Sequence, residues 1–360
     1  MNVEKLYRIL IELDNDLTKN NYLNLIQQVQ THLQNQVNQP NQPTHQTNLV
    51  NSLKGLYNKL EQSDYNRYSP GWKQVILEIS GENLLGVELK EKIETIFSQN
   101  KITPAKALEE IKKIYTNFQA FQQAIKNTLN GFKVLNIEAE ELKPGECEFG
   151  YLIPRKFIEN KLSYLRDEMA ELNFILNHIA EAVSGEKEEF KVKTISSSDF
   201  LLYVIIGLSV AEYLSRAIER ILNIYKQILE IKILRNQLSD KGVPKKETSG
   251  IEKFANGIMK TEIDKITIEI INNYPGEEGR KNELKNGVRI ALNKLANRID
   301  NGFKVEIRVE PLPEPEDENN IEKTLKEKID LVEKIKESSK NIDYLETGGK
   351  AILKLPEDNN

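Results

Sequence analysis

The run Phe200 to Ala211, FLLYVIIGLSVA, carries no charged side chain and directly follows the polar group Ser196-Ser197-Ser198-Asp199. Beyond it the pattern changes to SRAIERILNIYKQILEIKIL, which is amphipathic at helical spacing. Read as one element, the stretch predicts a helix over residues 198–238 that is apolar on every side at its start. Such a helix must be buried in protein or in lipid. A bilayer core about 30 Å thick takes roughly 20 apolar helical residues, and this run is shorter. Lengthening it meets Glu212, Arg216, Glu219 and Arg220 on one side and Asp199 on the other, each costly at a membrane centre. The expectation is therefore a core helix built on Phe200, Leu201, Leu202, Tyr203, Val204, Ile205, Ile206, Leu208 and Val210. Shallow membrane insertion of residues 200–214 is the alternative.

Charge and cysteine content narrow the partners. The 360 residues hold 50 Lys plus Arg against 55 Asp plus Glu, a formal net charge of -5, so no positive field draws the chain to nucleic acid. Cys147 is the single cysteine, and His32, His45 and His178 are scattered. No intramolecular disulfide and no Cys/His zinc site are expected, nor any metal or cofactor. A reducing, cytoplasmic setting fits. The opening MNVEKLYRILIELDND is acidic and amphipathic, without the basic region or cleavage site of a signal peptide.

The apolar positions predict a mostly helical α+β protein with about three strands. Val3 to Val37 keeps a helical stripe that a turn near Lys19 to Asn21 can interrupt. The Asn/Gln/Pro-rich residues 38–48 read as a loop or linker, helix resumes over Leu49 to Leu60, and Pro70 breaks it. Leu84 to Phe97 and Pro104 to about Leu129 are further helices, the second with Thr103 as N-cap. Period 2 then appears in ECEFGYLI, Glu146 to Ile153, in FKVKT from Phe190, and most clearly in Phe303, Val305, Ile307 and Val309. Phe157 to Val183 is a long helix stopped by Gly185, with Leu162 on its buried stripe; strand, helix, strand implies a parallel crossover if the two strands share a sheet. Ile251 to Tyr274, Glu277 to Ile299 and Ile321 to Tyr344 complete the helices. Three regions follow: a helical one over 1–142, a central α+β unit over 143–310, and an acidic Pro-rich linker with a C-terminal amphipathic helix over 311–360.

The landmarks GYLIPR, ELNFILNHIAE, FKVKTISSSD, YKQILEIKILR and EGRKNEL resemble those of an uncharacterised bacterial protein family. The resemblance runs from about Gly145 to Glu310. It implies a bacterial, cytosolic protein with one central structural unit, and it carries no activity across.

Four groups of residues could carry chemistry. Glu171, His178 and Glu181, with Glu168 near, are spaced to share one helix, and an imidazole between carboxylates can bind a metal or act as a base. The plainer reading is an ordinary helix face, because no second histidine is offered. Ser197, Ser198 and Asp199 can cap a helix or hold an anion, and capping is preferred since Asp199 would repel the anion. No GxSxG elbow makes any of these serines a nucleophile. Arg155 and Lys156 follow a strand end, where ligands often bind, and could face the SSSD turn; otherwise they are solvated. ETGGK lacks the spacing of a phosphate loop. The apolar run is the fourth.

Three long amphipathic stretches, Val3 to Val37, Leu214 to Leu234 and Ile321 to Tyr344, each need something to cover their stripes. The expected function is that of a non-catalytic interaction or scaffold protein that self-associates or binds partner proteins. A membrane-associating effector, and an enzyme or small-ligand binder with a site near the SSSD turn, are the alternatives.

Overall fold

The computed structural model describes residues 3–196, 200–242, 245–313, 323–347 and 350–358. The chain divides into two compact units, Met1–Glu141 and Leu142–Asn360.

The first unit is all helix: α1 (Val3–Asn20), α2 (Tyr22–Asn38), α3 (Pro43–Glu61), α4 (Pro70–Glu78), α5 (Gly86–Gln99) and α6 (Pro104–Val134). Asn21 takes a left-handed conformation, φ 51°, and separates α1 from α2; asparagine tolerates that region better than most residues. The stripe of α1 and α2 is spent inside this unit, with Leu10, Leu13, Leu17, Ile26, Val29 and Leu33 all buried. Two prolines depart from the sequence reading for one reason. Pro43 and Pro70 open α3 and α4 near their first turn, where a missing N–H costs nothing. Residues 38–48 are therefore mostly helix, not a linker, and Pro70 starts a helix that Ser69 caps by accepting the Trp72 N–H. Buried Asp16 fastens α1 to the turn after α3. Its carboxylate accepts from Ser63 Oγ (2.6 Å), Asn20 Nδ2 (2.8 Å) and the Asp64 N–H (3.1 Å).

The second unit is α+β. Four strands, β1 (Cys147–Ile153), β2 (Lys191–Ser196), β3 (Phe200–Ile206) and β4 (Lys304–Val309), form a sheet in the order β2-β3-β1-β4. Every neighbouring pair is antiparallel. β1 and β2 thus run parallel with β3 between them, so the crossover through the long helix encloses a third strand. The helices are α7 (Arg155–Ile158), α8 (Leu162–Ser184), α9 (Leu208–Asp240), α10 (Lys245–Asn272), α11 (Glu278–Asp300) and α12 (Lys323–Ser339).

The apolar run is the chief correction. Residues 200–206 are not the start of a helix but strand β3, and helix begins only at Leu208. The reason is position: β3 lies inside the sheet, hydrogen-bonded on both edges, and Leu202, Tyr203, Val204 and Ile206 are all buried. A strand covered on both faces reads as a continuous apolar run instead of an alternation. Tyr203 keeps its hydroxyl satisfied by donating to Glu306 Oε1 of β4 (2.6 Å). No helix among the described residues is long and apolar enough to cross a membrane.

The predicted helix from Phe157 is also split. Glu159 and Asn160 are both left-handed, φ 49° and 55°, which ends α7 after one turn and leaves Leu162 81 % exposed at the start of α8. Leu172, Ile175, Leu176 and Ile179 form the buried stripe of α8. Gly185, φ 88°, closes it with its N–H on the Glu181 carbonyl, a conformation that favours glycine. α8 packs on α11, α9 on both α10 and α12, and α12 also against β4. The apolar stripes of α9 and α12, among them Leu214, Ile218, Ile221, Val332 and Ile335, are buried within the unit. At the C-terminal end of the predicted α9 stripe, Ile233 and Leu234 stay about half exposed.

Candidate functional site

The second half of α11 is buried throughout, polar residues included. Asn293, Asn297 and Asp300 stand at i, i+4 and i+7, on one helix face, and together with Asn256 of α10 they meet the backbone of residues 352–356. Asp300 Oδ2 accepts the N–H groups of Ile352 (2.6 Å) and Leu353 (2.7 Å). Asn256 brackets the next stretch, accepting from the Lys354 N–H (2.6 Å) and donating to the Ile352 carbonyl (3.1 Å). Asn297 takes the Leu355 N–H (3.1 Å) and donates to the Leu355 carbonyl (3.0 Å), while Asn293 donates to the Pro356 carbonyl (2.8 Å). All four backbone N–H groups from Ile352 to Leu355 therefore donate to side chains of α10 or α11. Proline follows, with no N–H to satisfy. Between these bonds Ile352, Leu353 and Leu355 sink their side chains, at 0, 5 and 5 % exposure.

Beneath the groove lies a fully buried ion pair. Lys232 of α9 donates to Asp300 Oδ1 (2.8 Å), to the Asp300 carbonyl (3.2 Å) and to Tyr225 Oη (3.2 Å), and Tyr225 also donates to Asp300 Oδ1 (2.8 Å). Burial, and then the Asp300 charge, push the Tyr225 phenol well above its ordinary range, so it stays a donor. Asp300 thus accepts four hydrogen bonds, two facing the segment and two facing the core. A buried carboxylate requires such saturation.

The flank of the groove is ionic. α8 and α11 are joined by Glu181–Arg280 (2.7 and 3.0 Å), Glu171–Lys294 (2.7 Å) and Glu168–Arg298 (2.9 and 3.1 Å). Glu357 of the bound segment lands on the last two cations, 3.2 Å from Arg298 Nη1 and 3.7 Å from Lys294 Nζ. Glu181 is held below the ordinary carboxylate range, chiefly by its bonds from Arg280.

These pairings account for the carboxylates read from the sequence as acid, base or ligand. His178 donates from Nδ1 to the Phe174 carbonyl (2.8 Å), and its ring lies against Gly287. Arg155 stacks its guanidinium over Phe200, 4.7 Å from the ring centre, and donates to Asn160 Oδ1 (3.3 Å). Arg155, His178 and Glu181 thus engage three different sets of neighbours. Ser197, Ser198 and Asp199 lie outside the described residues. Among the described residues, no group of three or more His, Cys, Asp or Glu side chains is placed to hold a metal ion. Asn256, Asn293, Asn297, Asp300 and Lys232 were not singled out from the sequence, although Asn-x3-Asn-x2-Asp on a helix was there to be seen. No family model, curated protein or solved structure matches the chain, so the likeness to a bacterial family rests on its landmarks alone.

Proposed function

We propose that this is a non-catalytic interaction or scaffold protein that holds extended protein segments on the polar face shared by α10 and α11. The observation that supports this reading is the bracketing of four consecutive backbone N–H groups by Asp300, Asn256 and Asn297. Main-chain bonds supply affinity that tolerates sequence, and the pockets for alternate side chains supply selection, as in recognition by strand addition. Here helix side chains do the work of a sheet edge. A bacterial origin and a cytoplasmic setting belong to the same proposal, on the landmark resemblance and the lone, buried Cys147. The membrane alternative loses its motivating helix, since residues 202–204 and 206 lie buried in the sheet.

The test uses the full chain with a protease site inserted between Thr347 and Lys350. After cleavage, the freed segment should exchange with a fluorescent KAILKLPED peptide, followed by anisotropy. Asn256→Ala with Asn297→Ala removes four backbone bonds. At about 0.5–1.5 kcal/mol each, peptide affinity should fall at least about 30-fold. Cleaved protein that remains folded by circular dichroism yet takes up no peptide would remove the reading, as would equal uptake by the double variant.

A further inference from the structure

We infer that the groove also accepts residues 350–358 of a second copy, so that two molecules associate by exchanging this segment. The inference rests on the proposed groove reading and names its partner. The segment that fits the groove belongs to this chain, and a second copy brings every element of the fit: the apolar side chains of Ile352, Leu353 and Leu355, the Pro356 carbonyl for Asn293, and the Glu357 carboxylate for Lys294 and Arg298. The Glu357 carboxylate joins a network in which Arg298 and Lys294 already hold Glu168 and Glu171 of α8. Arg298 and Lys294 each divide their donors between α8 and Glu357.

The attachment favours exchange. Residues 352–356 are tied down by side chains of α10 and α11 and form no ladder with a strand adjacent in sequence. Exchanging an identical element between protomers preserves all its contacts. What opposes it is the effective concentration of a segment joined to its own chain, on the order of millimolar. Exchanged dimers are accordingly a minor species at micromolar protein and grow in when copies are concentrated or held side by side.

Irreversible trapping reads such a minority. Asn256 Oδ1 lies 2.6 Å from the Lys354 N–H, so cysteines at these positions are neighbours across the groove. One preparation carries Asn256→Cys, another Lys354→Cys, and the two are mixed under mild oxidation. The expected product is a 256–354 disulfide joining two chains, identified by mass spectrometry, with an initial rate that rises roughly tenfold for each tenfold rise in the concentration of one partner. A single chain bearing both cysteines should close on itself at any concentration. Internal closure with no inter-chain link up to about millimolar protein overturns the exchange while leaving the groove intact. Failure of internal closure overturns the groove reading itself. Lys294→Cys with Glu357→Cys, joined by a thiol-reactive cross-linker long enough to replace the two side chains that meet at 3.7 Å, repeats the experiment without touching Asn256.

Discussion

Lys232→Met removes the cation beneath the groove while keeping nearly the same length of side chain. Lys232 and Asp300 are both 0 % exposed at the side chain, so water cannot replace the lost charge. The Asp300 carboxylate still accepts from Tyr225 and from the N–H groups of Ile352 and Leu353, which sets the cost near the lower end of what breaking a buried pair entails, about 3 kcal/mol. For a unit the size of Leu142–Asn360, where 1 kcal/mol moves the midpoint by roughly 2–4 °C, calorimetry should show a fall of about 6–12 °C. Hydrogen exchange at residues 352–355 separates this variant from Asp300→Asn. In the latter the single amide oxygen turns to Lys232 and Tyr225, which leaves a donor-only NH2 group against the two backbone N–H groups, and protection of those amides should collapse first. Lys226→Met serves as the control. Its ion pair with Asp343 is 2.7 Å long but 40 and 58 % exposed, and its loss should cost no more than about 1 kcal/mol. A Lys232→Met protein as stable as the Lys226→Met control would refute the reasoning that this pair holds the floor of the groove.

Three further outcomes are expected. Gly287→Ala should destabilise by about 1–3 kcal/mol despite the better helix propensity of alanine, because the new Cβ would lie 2.2 Å from His178 Cδ2; adding His178→Ala should recover most of the loss in urea unfolding. Cys147 is buried, and desolvation pushes its thiol up to about 12, so Ellman's reagent at pH 8 should label it only after unfolding, and fast labelling of native protein would contradict its place in the sheet. Glu181 titrates below the ordinary carboxylate range because of Arg280. Its contribution is therefore present above that range and is lost as pH falls through the lowered value. Glu181→Gln should flatten the acid limb of the stability profile, and an unchanged limb would show that the half-exposed pair, with Arg280 41 % exposed, contributes nothing.

The fold class was readable from periodicity, and so were β1 and β4, in which Glu148 and Gly150, and Lys304, Glu306 and Arg308, alternate with apolar residues. β3 was not. Its second face carries Leu201, Tyr203 and Ile205 where that of β1 carries Glu148 and Gly150, so no alternation is left, and the helix after it is apolar too, so the join at Gly207 was read through. The remaining cues were local: seven residues, mostly β-branched or aromatic, closed by glycine. The groove was hidden for another reason. Asn293, Asn297 and Asp300 look like a solvated helix face in one dimension, and only the return of residues 352–356, more than fifty positions later, turns that face into an interior. Likewise the carboxylates of α8 resembled a metal or acid–base site because their cations sit on α11, 99 to 130 residues away.

The sheet order also sets a timetable. β1 is among the first parts of its unit to leave the ribosome, yet its outer neighbour β4 ends at Val309, opposite Cys147, about 160 residues behind. At a synthesis rate of roughly 5–20 residues per second, one side of β1 waits for about 8–30 s without its hydrogen-bonding partner. During that interval the nascent chain offers an open strand edge, and a chaperone or a neighbouring polysome product has its best opportunity to reach it.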